Sequence, residues 1–259
     1  MLKFDEPALR YFPQGIVRGS DGEKMSKSRG NVVEPLEMIQ KYGADSLRLY
    51  LVSNSSPDKD FDWDDKGIQG SFKFLNKVYD YFDNLKFGKA DPMIDSKFNK
   101  TLKELNILVE NFKHNLAVIK IRNLFSIFIG KNIDKKTSEN FLKILHIYCP
   151  FITEELWQKM GHKNFIDFES WPNVEEKKIN DQFEKQEEMK ESLIKDIANI
   201  KKITGKNNAK VYVYVLPNEL EIYKNIEGIN LFAVNDKNKY DPENKSKKVK
   251  PNRPGIYLE

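Results

Sequence analysis

Chemical potential concentrates near the N-terminus, where Lys24, Met25, Ser26, Lys27, Ser28, Arg29, Gly30 and Asn31 follow one another. Two lysines alternate with two serines, and glycines punctuate the run at positions 19, 22 and 30. A loop of this kind can present ammonium groups and hydroxyls to a polyphosphate, each lysine acting as a compact point charge. Negative charge developing on a departing pyrophosphate would be stabilised by such cations. The glycines would let the loop open and close. The same composition also describes a solvated surface loop, and composition alone favours that plainer reading.

Other residues invite chemistry and have simpler explanations beside it. Asp58, Asp60, Asp62, Asp64 and Asp65 form an acid-rich stretch. Paired carboxylates can bind Mg²⁺ or exchange protons, but a solvated turn capping a helix that starts near Lys66 accounts for them, with Trp63 as a packing anchor. His114 reads as a surface or boundary histidine. His146 and Cys149 stand three apart, yet two ligands do not close a metal site, so both are assigned to the core. Glu154 and Glu155 open a helix, where acids complement its positive end. No Ser/His/Asp constellation is apparent. Lys245, Lys247, Lys248, Lys250 and Arg253 belong to a basic stretch, residues 235–254, with seven bases against three acids. It is either a solvated loop or a binding edge for RNA phosphates. Tyr212, Tyr214 and Tyr223 could stack on bases but fit a strand-and-helix core better.

The elements that must position these groups follow from length and pattern. At 259 residues the chain fits two domains with room for a small appendage. Its 17 Phe, 11 Tyr and 3 Trp are enough to build cores, which excludes disorder throughout. One Cys excludes a disulfide framework and fits a reducing compartment. No apolar run reaches the roughly 20 residues of a membrane span, and residues 1–7 lack the apolar core of a signal peptide, so the expected location is cytosolic. A net charge of +4 does not by itself imply a nucleic-acid partner.

Residues 1–33 read as loop, with apolar pairs at Ile16-Val17 and Val32-Val33 as candidate strand ends. Pro35 opens a helix that Gly43 closes; Asp45 is expected to cap a second one reaching about Val52. From Gly67 the helical period dominates. Ile68, Phe72, Leu75, Tyr79 and Phe82 form one stripe, and Phe98, Leu102, Leu105, Val109 and Phe112 another. Shorter helices near 117–129, 138–148 and 152–160 complete an antiparallel bundle, and residues 162–174 read as extended. A charged helix from about Asp181 to Ile203 ends at Gly205, marked by Met189, Leu193, Ile197, Ile200 and Ile203. Val211 to Leu216 is a strand stopped by Pro217, residues 218–226 a short helix, and Leu231–Val234 and Ile256–Leu258 further strands. The fold class is mainly α, followed by a small α+β domain.

Lys24 to Ser28 reads K-M-S-K-S and resembles the signature loop of class I aminoacyl-tRNA synthetases. The continuation through Gly30-Asn-Val-Val-Glu-Pro and Tyr42-Gly-Ala-Asp-Ser-Leu-Arg-Leu-Tyr50 is similar to that family, as is Tyr148-Cys-Pro-Phe-Ile-Thr-Glu-Glu-Leu-Trp157 with Trp171-Pro172 after it. Within the family the resemblance is nearest to the C-terminal part of the leucyl members. It runs through residues 56–63 and 67–79 and through an archaeal-type C-terminus at residues 240–245 and 251–259. It implies three regions: a signature-loop remnant of the catalytic fold with a stem-contact region at 1–66, an anticodon-binding-type helix bundle at 67–180, and a linker helix with a small α+β tRNA-contacting domain at 181–259.

What the resemblance implies about chemistry is specific. Lys24, Met25, Ser26, Lys27 and Ser28 would form the ATP-phosphate site. Lys24 and Lys27 would be catalytic, Lys27 foremost, and Met25 would anchor the loop by packing. Lys245, Lys247, Lys248, Lys250 and Arg253 would contact tRNA, expected to be tRNA-Leu. Leucine and ATP would give leucyl-adenylate and pyrophosphate, and the leucyl group would then pass to the tRNA 3′ end. Magnesium would accompany ATP, with no identifiable metal site in this chain. The family's H-x-G-H element is absent: His114, His146 and His162 each stand alone. The expectation is therefore a C-terminal portion, either a split subunit or a fragment. It would be inactive without the H-x-G-H nucleotide-binding fold, which a separate chain could carry. An isoleucyl or valyl enzyme portion and a non-catalytic tRNA-binding module are the alternatives.

Overall fold

The protein is seen in a computed structural model that describes residues 11–259; residues 1–7, read as lacking a signal peptide, lie outside them. The chain divides into two compact units between Ile179 and Asn180.

The first unit begins with β1 (Val17–Arg18), followed by α1 (Pro35–Tyr42), α2 (Ala44–Ser53) and β2 (Phe61–Asp62), the two strands pairing in parallel. Its bundle comprises α3 (Asp65–Asp83), α4 (Pro92–Glu110), α5 (His114–Ser126), α6 (Lys135–His146) and α7 (Pro150–Lys159). Local chemistry fixes most helix starts. Asp64, Asp91 and Asp134 each accept a hydrogen bond from a first-turn amide of α3, α4 and α6, and Pro35, Pro92 and Pro150 occupy first positions where no amide is needed. The apolar faces meet in one core that includes Leu75, Phe82, Leu102, Phe125, Phe141 and Trp157.

The α3 seam differs from the stripe read off the sequence. The buried positions are Ile68, Ser71, Leu75, Val78 and Phe82. Phe72 is 36% exposed and sits edge-on to Tyr42, their ring centroids 5.8 Å apart. Ser71 takes the inner position because Arg122 of α5 donates to its Oγ at 3.0 Å, so a polar interaction replaces the expected ring. Phe112 leaves the α4 stripe altogether: the helix stops at Glu110, and Phe112 adopts a left-handed φ of 55° in the turn to α5. Val32-Val33 forms no strand; Val33 packs beside Met25 and Met38 instead.

Asp45 does not cap its own helix. Gly43 holds that position, and Asp45 is buried, its relative exposure being 7%. Its Oδ2 accepts from the amide of Ile152 at 2.7 Å, in the first turn of α7. One turn along α2, Arg48 donates to the carbonyls of Tyr148 at 3.2 Å and Ile147 at 3.3 Å, just past the end of α6. An acid thus meets one helix N-terminus and a base the preceding helix's C-terminus, each matching the local dipole.

The second unit opens with α8 (Asp181–Thr204), capped by Asn180 and ended by Gly205 in the left-handed conformation. There follow β3 (Val211–Val215), α9 (Leu220–Tyr223), β4 (Ile229–Ala233) and β5 (Gly255–Leu258). The sheet order is β4-β3-β5, β3 running parallel to β4 and antiparallel to β5. Val211, Val213 and Val215 pack with Leu193 and Tyr223. Of the apolar marks on α8, Leu193 is buried and Met189, Ile197 and Ile200 are partly so, while Ile203 is 83% exposed.

Removing the Asp45 acceptor strands the part-buried Ile152 amide in the first turn of α7. Asp45→Ala should cost about 1–2 kcal/mol, as removal of a cap does, and lower the melting midpoint of the first unit by roughly 2–8 °C. Burial is the stronger influence on the Asp45 carboxyl and raises its pKa above the ordinary 3.8, against the α7 amides and Arg48, which lower it. With the folded pKa raised, this group's contribution is greatest below the ordinary value and is lost as pH rises through the raised pKa. Thermal melts of wild type and Asp45→Asn should therefore shift in favour of Asn as pH goes from about 4 to about 7.

Candidate functional site

The Lys24–Ser28 segment hangs from β1. Arg18 and Lys24 form an antiparallel bridge, and a tight turn between them is closed by Gly19 N–H to Glu23 O at 2.8 Å and Gly22 N–H to Gly19 O at 3.0 Å. Residues Lys27–Arg29 make one 3-10 turn, ended by Gly30 at φ 69°, a conformation that glycine adopts without penalty. Met25 turns inward and packs against a cluster of Tyr42, Leu47, Tyr50, Trp63 and Ile68. A cavity of about 210 Å³ beneath the loop is lined by Val17, Met25, Val33, Met38, Leu47 and Trp63, among others.

The loop is tied down through its backbone. Asn31 Oδ1 accepts from Ser26 N–H at 2.8 Å, and Asn31 Nδ2 donates to Asp21 at 3.0 and 3.2 Å and to Lys24 O at 3.4 Å. Asp21 also accepts from Glu23 N–H at 3.1 Å. That amide, helped by Asn31, holds the Asp21 carboxyl below its ordinary range. Arg29 pairs with Glu23 at 2.8 Å, and Ser26 Oγ lies 2.8 Å from Ser28 Oγ. Lys24 and Lys27 are exposed, and neither has an ion-pair partner among the described residues. The arrangement fixes the main chain and leaves two ammonium groups free for an anion. From sequence, Asp21-Gly22 reads as a turn and Asn31 as the end of the loop, with no hydrogen bond between Asp21 and Asn31; an Asp and an Asn flanking a turn, where such side chains bond backbone amides, are the available signal.

The acid-rich stretch is structural throughout. Asp58 bonds Ser56, Asp60 accepts from Ile16 N–H at 2.8 Å, Asp62 pairs with Arg18 at 2.8 Å, Asp64 caps α3 and Asp65 accepts from Trp63 Nε1 at 3.0 Å. No group of three or more His, Cys, Asp or Glu able to hold a metal occurs among the described residues. His146 and Cys149 do not converge on a ligand: Cys149 is buried, and burial pushes its thiol pKa up. His146 instead lies between Thr153 Oγ1 at 2.7 Å and Asp167 Oδ1 at 3.0 Å. This is a hydroxyl–imidazole–carboxylate row that the sequence did not reveal. Thr153 is fully buried and also donates to Cys149 O at 2.8 Å, so the row offers no accessible nucleophile and fastens α6, α7 and the 166–168 turn together. His114 meets Tyr148 OH at 3.0 Å, and burial lowers its pKa.

In the second unit the basic stretch is built on a carboxylate. Asp241 accepts from Lys245 N–H at 2.7 Å and Ser246 N–H at 3.0 Å, starting a 3-10 turn over Lys245–Lys248. Lys245 is half-buried and paired with Glu243 at 3.1 Å. Lys247, Lys248, Lys250 and Arg253 have no ion-pair partner among the described residues; Lys247, Lys248 and Arg253 are exposed, as is Lys250 at the bridge to Arg253. Tyr214 and Tyr223 are buried. Tyr212 lies on the central strand, on the face opposite Val211 and Val213, with its ring 5.0 Å from that of Tyr240 and 5.9 Å from that of Tyr257.

Comparison with known proteins bears on both units. The family described as "tRNA synthetases class I (I, L, M and V)" matches residues 2–64, and "Anticodon-binding domain of tRNA ligase" matches residues 91–215. A leucine–tRNA ligase of Petrotoga mobilis is 32% identical over 247 residues, covering 85% of this chain and 28% of the relative. One from Mycoplasma mycoides subsp. mycoides SC is 32% identical over 183 residues, covering 69% of this chain and 23% of the relative. Among solved structures, the agnB2 LeuRS of Agrobacterium radiobacter K84, in a ternary complex with tRNA and LeuAMS, is 27% identical with a TM-score of 0.60, covering 69% of this chain and 26% of that one. The chain thus spans about a quarter of the length of the relatives it matches. Among its described residues, no helix is long and apolar enough to cross a membrane.

Replacing Lys247, Lys248 and Lys250 together with Ala should leave the melting midpoint of the second unit nearly unchanged, since exposed positions without partners move stability by within about 0.5 kcal/mol. Tyr214→Ala should cost about 3–5 kcal/mol, the range for deleting a buried ring. Circular-dichroism melts of the two variants check the contrast.

Proposed function

The chain belongs to the class I aminoacyl-tRNA synthetases, and on that premise we propose that it supplies the phosphate-handling loop and the tRNA-binding portion of a leucine–tRNA ligase. The observation that carries this reading is the loop of Lys24 to Ser28: its backbone is pinned by Asn31 and anchored by Met25, while Lys24 and Lys27 stay exposed and without carboxylate partners.

In the proposed reaction the leucine carboxylate attacks the α-phosphorus of ATP, pyrophosphate leaves, and the leucyl group then passes to the 3′ end of tRNA. Lys27 donates hydrogen bonds from Nζ to the phosphate oxygens on which charge grows as pyrophosphate departs. A cation already in place there stabilises the transition state without reorganisation at the moment of reaction. Lys24 adds a second charge, and Ser26 and Ser28 offer hydroxyls. Magnesium accompanies ATP in class I synthetases generally. The described residues offer no carboxylate cluster for it, so no step is assigned to a metal held by this chain. The amino-acid pocket and the H-x-G-H element belong to a part of the enzyme not represented in this sequence.

Binding of tRNA is proposed for both units: the bundle as an anticodon-binding-type domain, and the second unit through Lys247, Lys248, Lys250 and Arg253, with Lys245 held back by Glu243. Exposed lysines on a turn fixed by Asp241 form a preset basic edge, and phosphates bound in this way release counterions.

Three measurements test the reading. The chain by itself should bind tRNA and show no leucine-dependent ATP–pyrophosphate exchange; exchange at the rate of a complete synthetase would overturn the division of labour. In the complete enzyme, Lys27→Ala should slow exchange by about 10²-fold or more with tRNA affinity unchanged, and an unaltered kcat would remove the loop from the chemistry. Changing Lys247, Lys248, Lys250 and Arg253 to Ala should flatten the salt dependence of tRNA binding by up to roughly 0.7–0.9 in log–log slope for each cation–phosphate pair removed. A truncation of the second unit is best made between Ile179 and Asn180, because α8 shares its core with the sheet. It should impair charging far more than adenylate formation.

A further inference from the structure

We infer that Asp21 and Asn31 act as a clamp that sets the position of the Lys24–Ser28 loop for phosphate chemistry, an inference that rests on the phosphate-loop reading above. Asn31 is the only side chain among the described residues for which the structure gives hydrogen bonds to the backbone between Lys24 and Ser28: it takes the Ser26 amide at 2.8 Å and reaches the Lys24 carbonyl at 3.4 Å. Its own orientation is set from the other side, because both Asp21 oxygens accept from Nδ2, at 3.0 and 3.2 Å. Asp21 is in turn fixed by the Glu23 amide at 3.1 Å, within the turn that carries the loop. Gly19 admits this arrangement, since a Cβ there would lie 2.6 Å from Asp21 Oδ1 and 3.0 Å from Asn31 Nδ2.

The clamp grips main chain and touches neither lysine side chain. It therefore sets where Ser26 and the following Lys27 sit without neutralising them. Displacing a charge donor by about 1 Å can cost on the order of 10²-fold in rate, so a group that never meets the phosphates can matter nearly as much as the lysine itself. Asp21 and Asn31 are positioning residues in this account; Lys27 is the group that meets the substrate.

The polarity of the Asp21–Asn31 hydrogen bond supplies a test by exchange. Asn31→Asp keeps an acceptor for the Ser26 amide but sets two carboxylates against each other. Adding Asp21→Asn restores a donor facing an acceptor, with the partners reversed. In the complete enzyme, Asn31→Asp should lower kcat for leucine-dependent ATP–pyrophosphate exchange on the order of 10²-fold, with KM for leucine unchanged, and the double variant should regain most of it. An unaltered kcat in Asn31→Asp, or a double variant no better than the single one, overturns the inference. Lys27→Ala run alongside separates the two claims. If it slows exchange while the clamp variants do not, the clamp alone fails; if it too is without effect, the phosphate-loop reading fails. Hydrogen exchange read by mass spectrometry on this chain decides the clamp independently of catalysis: Asn31→Ala should speed exchange at the Ser26 amide, and an unchanged rate there overturns it.

Discussion

The first unit depends on one corner, where α2 meets the junction of α6 and α7. Asp45 supplies the acceptor for the α7 amides, and Arg48 covers the carbonyls that end α6. Charge-assisted bonds are stronger than neutral ones, and leaving part-buried helix ends bare would cost part of the desolvation of each group. The pair also dictates orientation, because an acid and a base one turn apart on α2 fit two oppositely polarised helix ends in only one direction. The His146 row between Thr153 and Asp167 stiffens the same junction from the bundle side.

From that corner, position is handed along to the loop. Burying Leu49 and Tyr50 fixes α2 between the bundle core and the cluster under the loop. The Tyr50 hydroxyl accepts from Asp64 N–H at 2.8 Å, and its ring packs against Phe61 and Trp63. Gly67 is required beneath that ring, since a Cβ would come within 2.4 Å of it. Tyr50 thereby seats β2 and the start of α3, β2 seats β1, and β1 carries the turn that leads to Lys24. Met25 closes the circuit by packing back into the same cluster. A charged group borne on an exposed loop is held in place in this way by a buried aromatic network.

The second unit solves a different problem with similar means. Its small sheet buries valines against α8 on one side, and Tyr214 reaches the carbonyl of Tyr240 on the other. Residues 235–254 are thus ordered by a tyrosine hydroxyl, by Asp241 and by Glu219, whose Oε1 accepts from Asn252 N–H at 2.7 Å. Composition describes a lysine-rich loop; in the structure its turn at Lys245–Lys248 is held by Asp241, and Lys247, Lys248, Lys250 and Arg253 are exposed on it.

The sequence by itself determined the helices and the strands of the second unit, because periodicity and caps are local: Asp64, Asp91, Pro150 and Gly205 act within a turn of where they stand. The β1–β2 pair, with Phe61–Asp62 in a stretch that reads as a solvated turn, came from tertiary pairing. The sequence also determined the Lys24–Ser28 loop and the departure represented by the missing H-x-G-H. Tertiary structure decided what depends on partners distant in the chain. Positions 71 and 72 are adjacent on a helix, and whether Ser71 or Phe72 faces inward is settled by Arg122, fifty-one residues on. Asp45 carries a strong local capping signal and serves a helix 107 residues away instead, because folding brings its carboxylate against the α7 amides. The Asp21–Asn31 hydrogen bond and the His146 row have the same origin. Hydrogen-bond partners are chosen by proximity in space, and a one-dimensional pattern records only which residues could bond, not which of them fold to within about 3 Å of each other.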